Sequence, residues 1–220
     1  MCAVLGAVII KPSDIDFVLL KTLFEESSVR GLHATGVSFV RNSRVETIKL
    51  PVPARKFPFE FQNYLNEDGN LYLIGHCRYS TSDLEYNQPI ANEQKSIVHN
   101  GVITQEDSSL WKELYGVDCT TKNDSELVLL FDDALQRFNS MSMGVCELSA
   151  DKTLKFYRNH KRPLYYIEYE TGVLVASTRN IFKRTGFDYA TRTNQNTVYS
   201  FKNNLLTQTT YQSKETDIQP

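Results

Sequence analysis

The sequence predicts an α+β protein built on largely antiparallel sheets. Strand-like and helix-like stretches are segregated along the chain, which argues against a doubly wound parallel sheet. Helical periodicity is confined to a few segments, whereas from Gly144 onward short β-rich runs dominate. No repeat, low-complexity tract or linker interrupts residues 1–220, so one domain is expected, with a polar tail after about residue 210.

The elements follow in order. Residues 2–10 are a continuous apolar run, expected to form a buried strand. The run is too short for a signal-peptide core or a bilayer span. Lys11-Pro12 breaks it, and Ser13-x-x-Asp16 has the form of a capping box. Ile15, Val18, Leu19, Thr22 and Leu23 then recur at helical spacing, predicting one buried helix face that ends near Glu26. Residues 27–36 read as a loop. Residues 35–40 and 45–50 flank Arg41-Asn42-Ser43-Arg44 as a hairpin. Pro51, Pro53 and Pro58 mark an irregular crossing, followed by a short helix over 59–65.

A strand over 71–74 runs into Gly75-His76-Cys77-Arg78-Tyr79-Ser80-Thr81, and a polar loop covers 82–88. The strand over 96–99 is expected to close on Asn100-Gly101 as a turn. A helix is predicted over 106–115. A second opens at Asn123-Asp124-Ser125-Glu126, with Leu127, Leu130, Phe131, Ala134, Leu135 and Phe138 on one face. Further strands are expected over 144–148, 154–158, 164–169 and 173–176, then a short helix over 178–183. Two late strands lie near 197–202 and 205–210.

Composition narrows the function. A charged fraction of 23% against 41% hydrophobic residues is that of a soluble globular protein. A net charge of −2 gives no footprint for nucleic acid or an anionic membrane, and neither partner is expected. Cys2, Cys77, Cys119 and Cys146 show neither C-x-x-C spacing nor disulfide density, which points to a reducing, cytoplasmic setting. His76, Cys77 and His99 match no zinc spacing, and neighbours on a strand point to opposite faces. No metal or other cofactor is expected.

Several residues could carry chemistry. Cys2 follows Met1, and a small second residue permits removal of the initiator. The exposed residue would then hold a thiol beside an α-amine that titrates close to neutrality and can act as its base. Arg78 at a strand end could grip a carboxylate through two parallel hydrogen bonds, although a lone Arg is more often a surface residue. Asn100 and Gly101 offer the donor types of an oxyanion hole, or else a tight turn. Asp124 could bind an ammonium group or cap a helix.

Individually these signals are weak; their order is specific. Cys2, Arg30-Gly31-x-x-x-x-Gly36, Gly75-His76-x-Arg78-Tyr79-Ser80-Thr81, Gln88-Pro89, His99-Asn100-Gly101 and Asp124-Ser125-Glu126 together resemble the class II (N-terminal nucleophile) glutamine amidotransferase domain. Arg162-Pro163-Leu164 and Ala176-Ser177 continue the likeness, which extends to about residue 200. The Arg-Tyr-Ser-Thr version is similar to the amidophosphoribosyltransferase branch. The resemblance implies a four-layer αββα sandwich of the N-terminal nucleophile hydrolase type. It implies glutamine as substrate, Cys2 as nucleophile with its α-amine as base, and Asn100 with Gly101 as oxyanion hole. Arg78 would take the α-carboxylate of glutamine, Asp124 its α-ammonium, and Thr81 would line the pocket.

Three departures stand out. His33 occupies the position of the family's Asp in the Arg30–Gly36 loop, Thr178 replaces the Glu of Ala-Ser-Glu, and the turn before Arg162 is shorter. The sequence shows no acceptor domain after residue 200, so the ammonia is expected to pass to a separate synthase. A stand-alone γ-amide amidohydrolase and a catalytically silent glutamine-sensing or protein-interaction module are the alternatives.

Overall fold

The computed structural model describes residues 2–79 and 87–212. Strand β1 (Ala3–Ile9) leads into helix α1 (Asp14–Ser27), and β2 (Ala34–Arg41) and β3 (Arg44–Leu50) form a hairpin. Strands β4 (Leu71–Arg78), β5 (Ile90–Ala91) and β6 (Lys95–Val102) precede the short helices α2 (Trp111–Tyr115), α3 (Glu126–Leu130) and α4 (Ala134–Arg137). The remainder is β7 (Ser142–Ser149), β8 (Leu154–Arg158), β9 (Tyr165–Tyr169), β10 (Gly172–Ala176), α5 (Arg179–Arg184), β11 (Thr191–Arg192), β12 (Thr197–Lys202) and β13 (Leu205–Thr210).

These strands build two sheets, ordered β11-β9-β10-β1-β4-β2-β3 and β13-β12-β8-β7-β6-β5. Every pairing among the described residues is antiparallel. Three apolar clusters separate four layers. One joins α1 and α5 to the outer face of the first sheet, through Phe17, Leu20, Phe24, Leu5, Leu73 and Phe182. The second fills the space between the sheets, with Val4, Val8, Ile74, Val98, Cys146 and Phe156. The third packs Leu127, Val128, Ala134 and Leu135 of α3 and α4 on Ile97, Met143 and Val145. The expected αββα sandwich is therefore present. No helix among the described residues is long and apolar enough to cross a membrane.

Strand alternation decides which side chains face the cleft between the sheets. On β1, Ala3, Leu5 and Ala7 face the helices, whereas Val4 and Val8 face the second sheet. On β4, Leu73 and Cys77 face the helices while Tyr72 and Ile74 face inward, so His76 and Arg78 continue the inner set. On β6, Val98 faces inward and Ile97 outward, which puts Asn100 on the inner face and His99 on the outer.

Several expectations need correction. The capping box at Ser13 and Asp16 is formed, but α1 buries a different face. Phe17, Leu20, Leu23 and Phe24 are buried, whereas Ile15 and Val18 are 80% and 66% exposed. Two aromatic rings bury more area than the Ile15–Val18 row and set the helix rotation. Asn100-Gly101 is not a turn, because β6 runs on to Val102 with Gly101 opposite Met143 of β7. The long helix after Asn123 is broken into α3 and α4 at Phe131, which is extended (φ −115°, ψ 117°) and caps α3 through its N–H to Leu127. Leu130, assigned to the buried face, is 39% exposed. The helix over 106–115 is a 3₁₀ turn followed by α2, and that over 59–65 is a 3₁₀ turn, Phe61–Tyr64. The hairpin is as expected, with Asn42 and Ser43 both at left-handed φ, the geometry of a two-residue turn.

Gly75 fixes how closely α1 approaches the first sheet. A Cβ there would lie 2.2 Å from the Phe24 ring, whose other contacts include Phe59 at 4.7 Å between ring centroids. Gly75→Ala is expected to destabilise the fold by about 1–3 kcal/mol through overpacking. Urea denaturation checks this, and an unchanged midpoint would show that Phe24 can move aside.

Candidate active site

Cys2 is half-buried, directly before central strand β1 at one edge of the space between the sheets. The register Ala3↔Cys77 brings Cys2 alongside Arg78. The Cys2 thiol lies 3.8 Å from the Tyr79 carbonyl, and Arg30 Nε donates to the Cys2 carbonyl at 3.0 Å. The Arg30-Gly31 loop lies flat on β4: a Cβ on Gly31 would sit 2.2 Å from the Cys77 carbonyl oxygen. Two residues further in, the buried Ser177 Oγ accepts from the Val4 N–H at 2.9 Å, and the Ser177 backbone N–H donates to Val4 O at 3.1 Å. The start of the chain is thus tied down from both flanking strands. His33 is exposed, donates its backbone N–H to Arg78 O, and packs its ring 4.9 Å from that of Tyr79.

Across the cleft, Asn100 is 5% exposed, and its Nδ2 is buried without a hydrogen-bond partner. Met143, opposite Gly101, directs its N–H and C=O to Asn159. The pair Gly101–Met143 is therefore of the non-hydrogen-bonded kind, and the Gly101 N–H turns toward the open side of β6. Only glycine fits there, since a Cβ would meet Ser142 O at 1.7 Å and His99 Nε2 at 2.6 Å.

His99 locks this strand from behind. Its Nε2 lies 3.1 Å from the Ser142 carbonyl, which can only accept, so Nε2 carries the proton. Nδ1 then accepts from the Ser125 hydroxyl at 2.8 Å. The Gln88 side chain spans the backbone of His99, accepting from its N–H at 2.5 Å and donating to its C=O at 3.0 Å, and it also donates to Ser125 Oγ. Gly36 makes room for this: a Cβ there would be 2.3 Å from Gln88 O.

Arg78 is half-buried, and its Nη1 donates to Asn87 Oδ1 at 3.2 Å. Asp124 does not cap a helix with its side chain. Its Oδ2 accepts from the N–H groups of Ile103 and Thr104 at 2.6 and 3.2 Å, anchoring the chain where it leaves β6. No donor among the described residues bonds Oδ1. Neighbouring Glu126 is buried and accepts from Thr120 and Thr121. Burial opposes its ionisation, but these hydrogen bonds outweigh burial and hold its carboxyl below the usual range. Thr81, and residues 82–86 of the expected polar loop, lie outside the described residues.

Cys2 and Arg78 therefore lie side by side on neighbouring strands of the first sheet, Asn100 lies on the inner face of the second, and Gly101 and Asp124 stand on β6 and on the loop whose carboxylate anchors the chain leaving it. Sequence reasoning gave no role to Arg30, Gln88, Ser125, Arg162 or Ser177, although each stood within a quoted motif. Partners so distant in sequence leave no local signal. The other three cysteines are poor nucleophiles: burial pushes the Cys77 thiol up to about 12, raises Cys146 further, and with Glu126 and Asp118 lifts Cys119 to about 11. No cluster of three metal-ligating side chains occurs among the described residues.

Two face-to-face antiparallel sheets between helical layers, with a cysteine leading into a central strand, define the N-terminal nucleophile hydrolase class of fold. Within that class the chain has the fold of class II glutamine amidotransferase domains. Glutamine phosphoribosylpyrophosphate amidotransferase from B. subtilis superposes with a TM-score of 0.69 at 18% identity, over 95% of this chain and 49% of that one. An allosteric regulatory enzyme of purine biosynthesis gives 0.71 at 18% identity, with the same coverage. The chain thus spans about half the length of these two. A glutamine aminotransferase class-II domain protein from Silicibacter pomeroyi gives 0.60 at 13% identity, over 96% of this chain and 100% of that one. No protein-family model matches the sequence, and no curated protein matches it.

The two buried histidines make stability depend on pH. Burial, with the nearby charges of Arg78 and His99, depresses His76 to about 3, and burial also lowers His99. An unfolded chain protonates both near pH ~6.5. Below that, the unfolded state binds protons that the folded state refuses, so stability is complete above pH ~6.5 and falls as the pH drops toward 3. Each histidine contributes a slope of up to about 1.4 kcal/mol per pH unit. Urea denaturation between pH 7 and 5 should show a shallower fall for His76→Phe than for wild type; equal slopes would contradict the assignment.

Proposed function

We propose that the chain hydrolyses glutamine to glutamate and ammonia through a thioester on Cys2, with ammonia passing to an acceptor held by a separate synthase. The observation that carries this reading is the Asn100 amide: a buried donor without an acceptor, beside the outward-turned Gly101 N–H and across the cleft from Cys2 and Arg78. A buried donor left unpaired costs about 1–3 kcal/mol, which an arriving anion would offset.

In this mechanism Met1 is removed and the α-amine of Cys2 takes the thiol proton. The sulfur forms a bond to the carboxamide carbon, and the carbonyl electron pair moves onto oxygen, opposite Asn100 Nδ2 and the Gly101 N–H. As the tetrahedral species collapses, the C–N bond breaks and the proton passes from the amine to the leaving nitrogen, giving ammonia. Water then adds to the thioester, the amine again takes the proton, and the thiol leaves with release of glutamate. Arg78 holds the α-carboxylate, with Asn87 fixing one arm of the guanidinium. Asp124 offers Oδ1 to the α-ammonium while Oδ2 stays on the backbone. The absence of disulfides among free cysteines fits a reducing compartment such as the cytoplasm.

A second reading is a stand-alone amidohydrolase for another γ-amide. A γ-amide panel with glutamate release as readout separates the two.

Asn100→Ala is expected to lower kcat by about 10²–10³ with little change in KM, because its bond strengthens only as charge develops on the oxygen. A rise in KM alone would contradict the oxyanion role. Arg78→Lys keeps the charge but loses the planar fork, and should raise KM by about tenfold or more. Unaltered saturation by glutamine would remove Arg78 from the substrate site.

A further inference from the structure

The inner face of the second sheet holds a cation that the hydrolysis above does not use. Gly144 stands opposite Asn100 in the β6–β7 ladder, so a side chain at 144 would share Asn100's face. Arg162 fills that space instead: a Cβ built on Gly144 would lie 3.4 Å from Arg162 Cβ. The stem of Arg162 therefore rises over the inner face beside Asn100. Its Nε is buried with no hydrogen-bond partner, and no carboxylate among the described residues pairs with it. Its charge reaches two neighbours of the site, His99 behind Asn100 and Arg30 on the Cys2 carbonyl. Burial first, then Arg162, lowers the pKa of Arg30, while Cys2 opposes the shift.

A guanidinium partly withdrawn from water without a counterion is costly unless an anion arrives. Here two unpaired donors, Arg162 Nε and Asn100 Nδ2, lie at one end of the cleft. Asp124 is the anion already near this end, and it is engaged by Ile103 and Thr104. Building on the Cys2 reading above, we infer that Arg162 stabilises negative charge at the Cys2–Asn100 end of the cleft: on the sulfur before attack, and on the carboxamide oxygen after it. Glutamine brings one carboxylate, which Arg78 takes, so the charge complementary to Arg162 forms only during the reaction.

The test uses Arg162→Met, which keeps an unbranched stem over Gly144 but removes the charge, and Arg162→Lys, which keeps it. Alkylation of Cys2 by iodoacetamide at neutral pH, followed by mass spectrometry, needs no turnover. Arg162→Met should slow it by about tenfold, and Arg162→Lys should recover most of the rate. In glutamine hydrolysis Arg162→Met should lower kcat by about tenfold to a hundredfold with KM within about threefold. If Arg162→Met lacks a cooperative melt, Arg162→Gln carries the same comparison. Wild-type alkylation rates in the uncharged variants overturn the inference, and a lowered Tm with no change in alkylation does so too, since that is a packing role. Slowed alkylation in a protein that hydrolyses no glutamine upholds the inference and overturns the glutaminase reading. Equal hydrolysis and alkylation by wild type and variants does the reverse.

Discussion

Chain termini fray unless the backbone is tied down, and here the first strand is held in the interior of a seven-stranded sheet. β1 pairs with β4 on one side and β10 on the other, and Ser177 extends the second pairing to Val4. Arg30 grips the Cys2 carbonyl itself. Cys2 thereby has a fixed place beside Arg78. Everything else at that end is arranged relative to it: Arg78 on the next strand, Asn100 on the facing sheet, and the Arg30-Gly31 loop pressed on β4.

Fixed backbone is obtained through close approach, and close approach is obtained with glycine. Gly31 lets the loop lie on β4, Gly36 admits Gln88, and Gly101 admits the Ser142 carbonyl. Gln88 in turn satisfies both backbone groups of His99, and His99 fixes Ser125 and Ser142 through a defined tautomer. The scaffold behind Asn100 is thus saturated with hydrogen bonds, while Asn100 Nδ2 and Arg162 Nε at its front are not. Rigid surroundings around unsatisfied donors are what electrostatic preorganisation requires, because no reorganisation is needed when charge appears.

Much of this was legible in the sequence. Strand alternation and turn chemistry located most elements, the motif order led to the αββα fold, and strand period placed Arg78 and Asn100 on the two inner faces. The errors have physical causes. The Ile15–Val18 row of α1 has correct helical spacing, yet Phe17 and Phe24 compete for the same core and win on buried area. Asn-Gly favours turns locally, but pairing with β7 carries the strand through. Asp124 sits where a cap would, yet its carboxylate reaches back to Ile103 and Thr104. Gln88, Ser177 and Arg162 act through partners far away in sequence, so only tertiary structure gives them a place.

The central claim is that residue 2, freed of Met1, is the nucleophile of this cleft. Its most direct measurement is intact mass before and after exposure to an electrophilic ketone analogue of glutamine, with peptide mapping of the adduct. The account predicts a chain lacking Met1 that gains one adduct, on Cys2, and loses glutamine hydrolysis in step with labelling. A chain that retains Met1 and still hydrolyses glutamine, or an adduct on Cys77, Cys119 or Cys146, would contradict it.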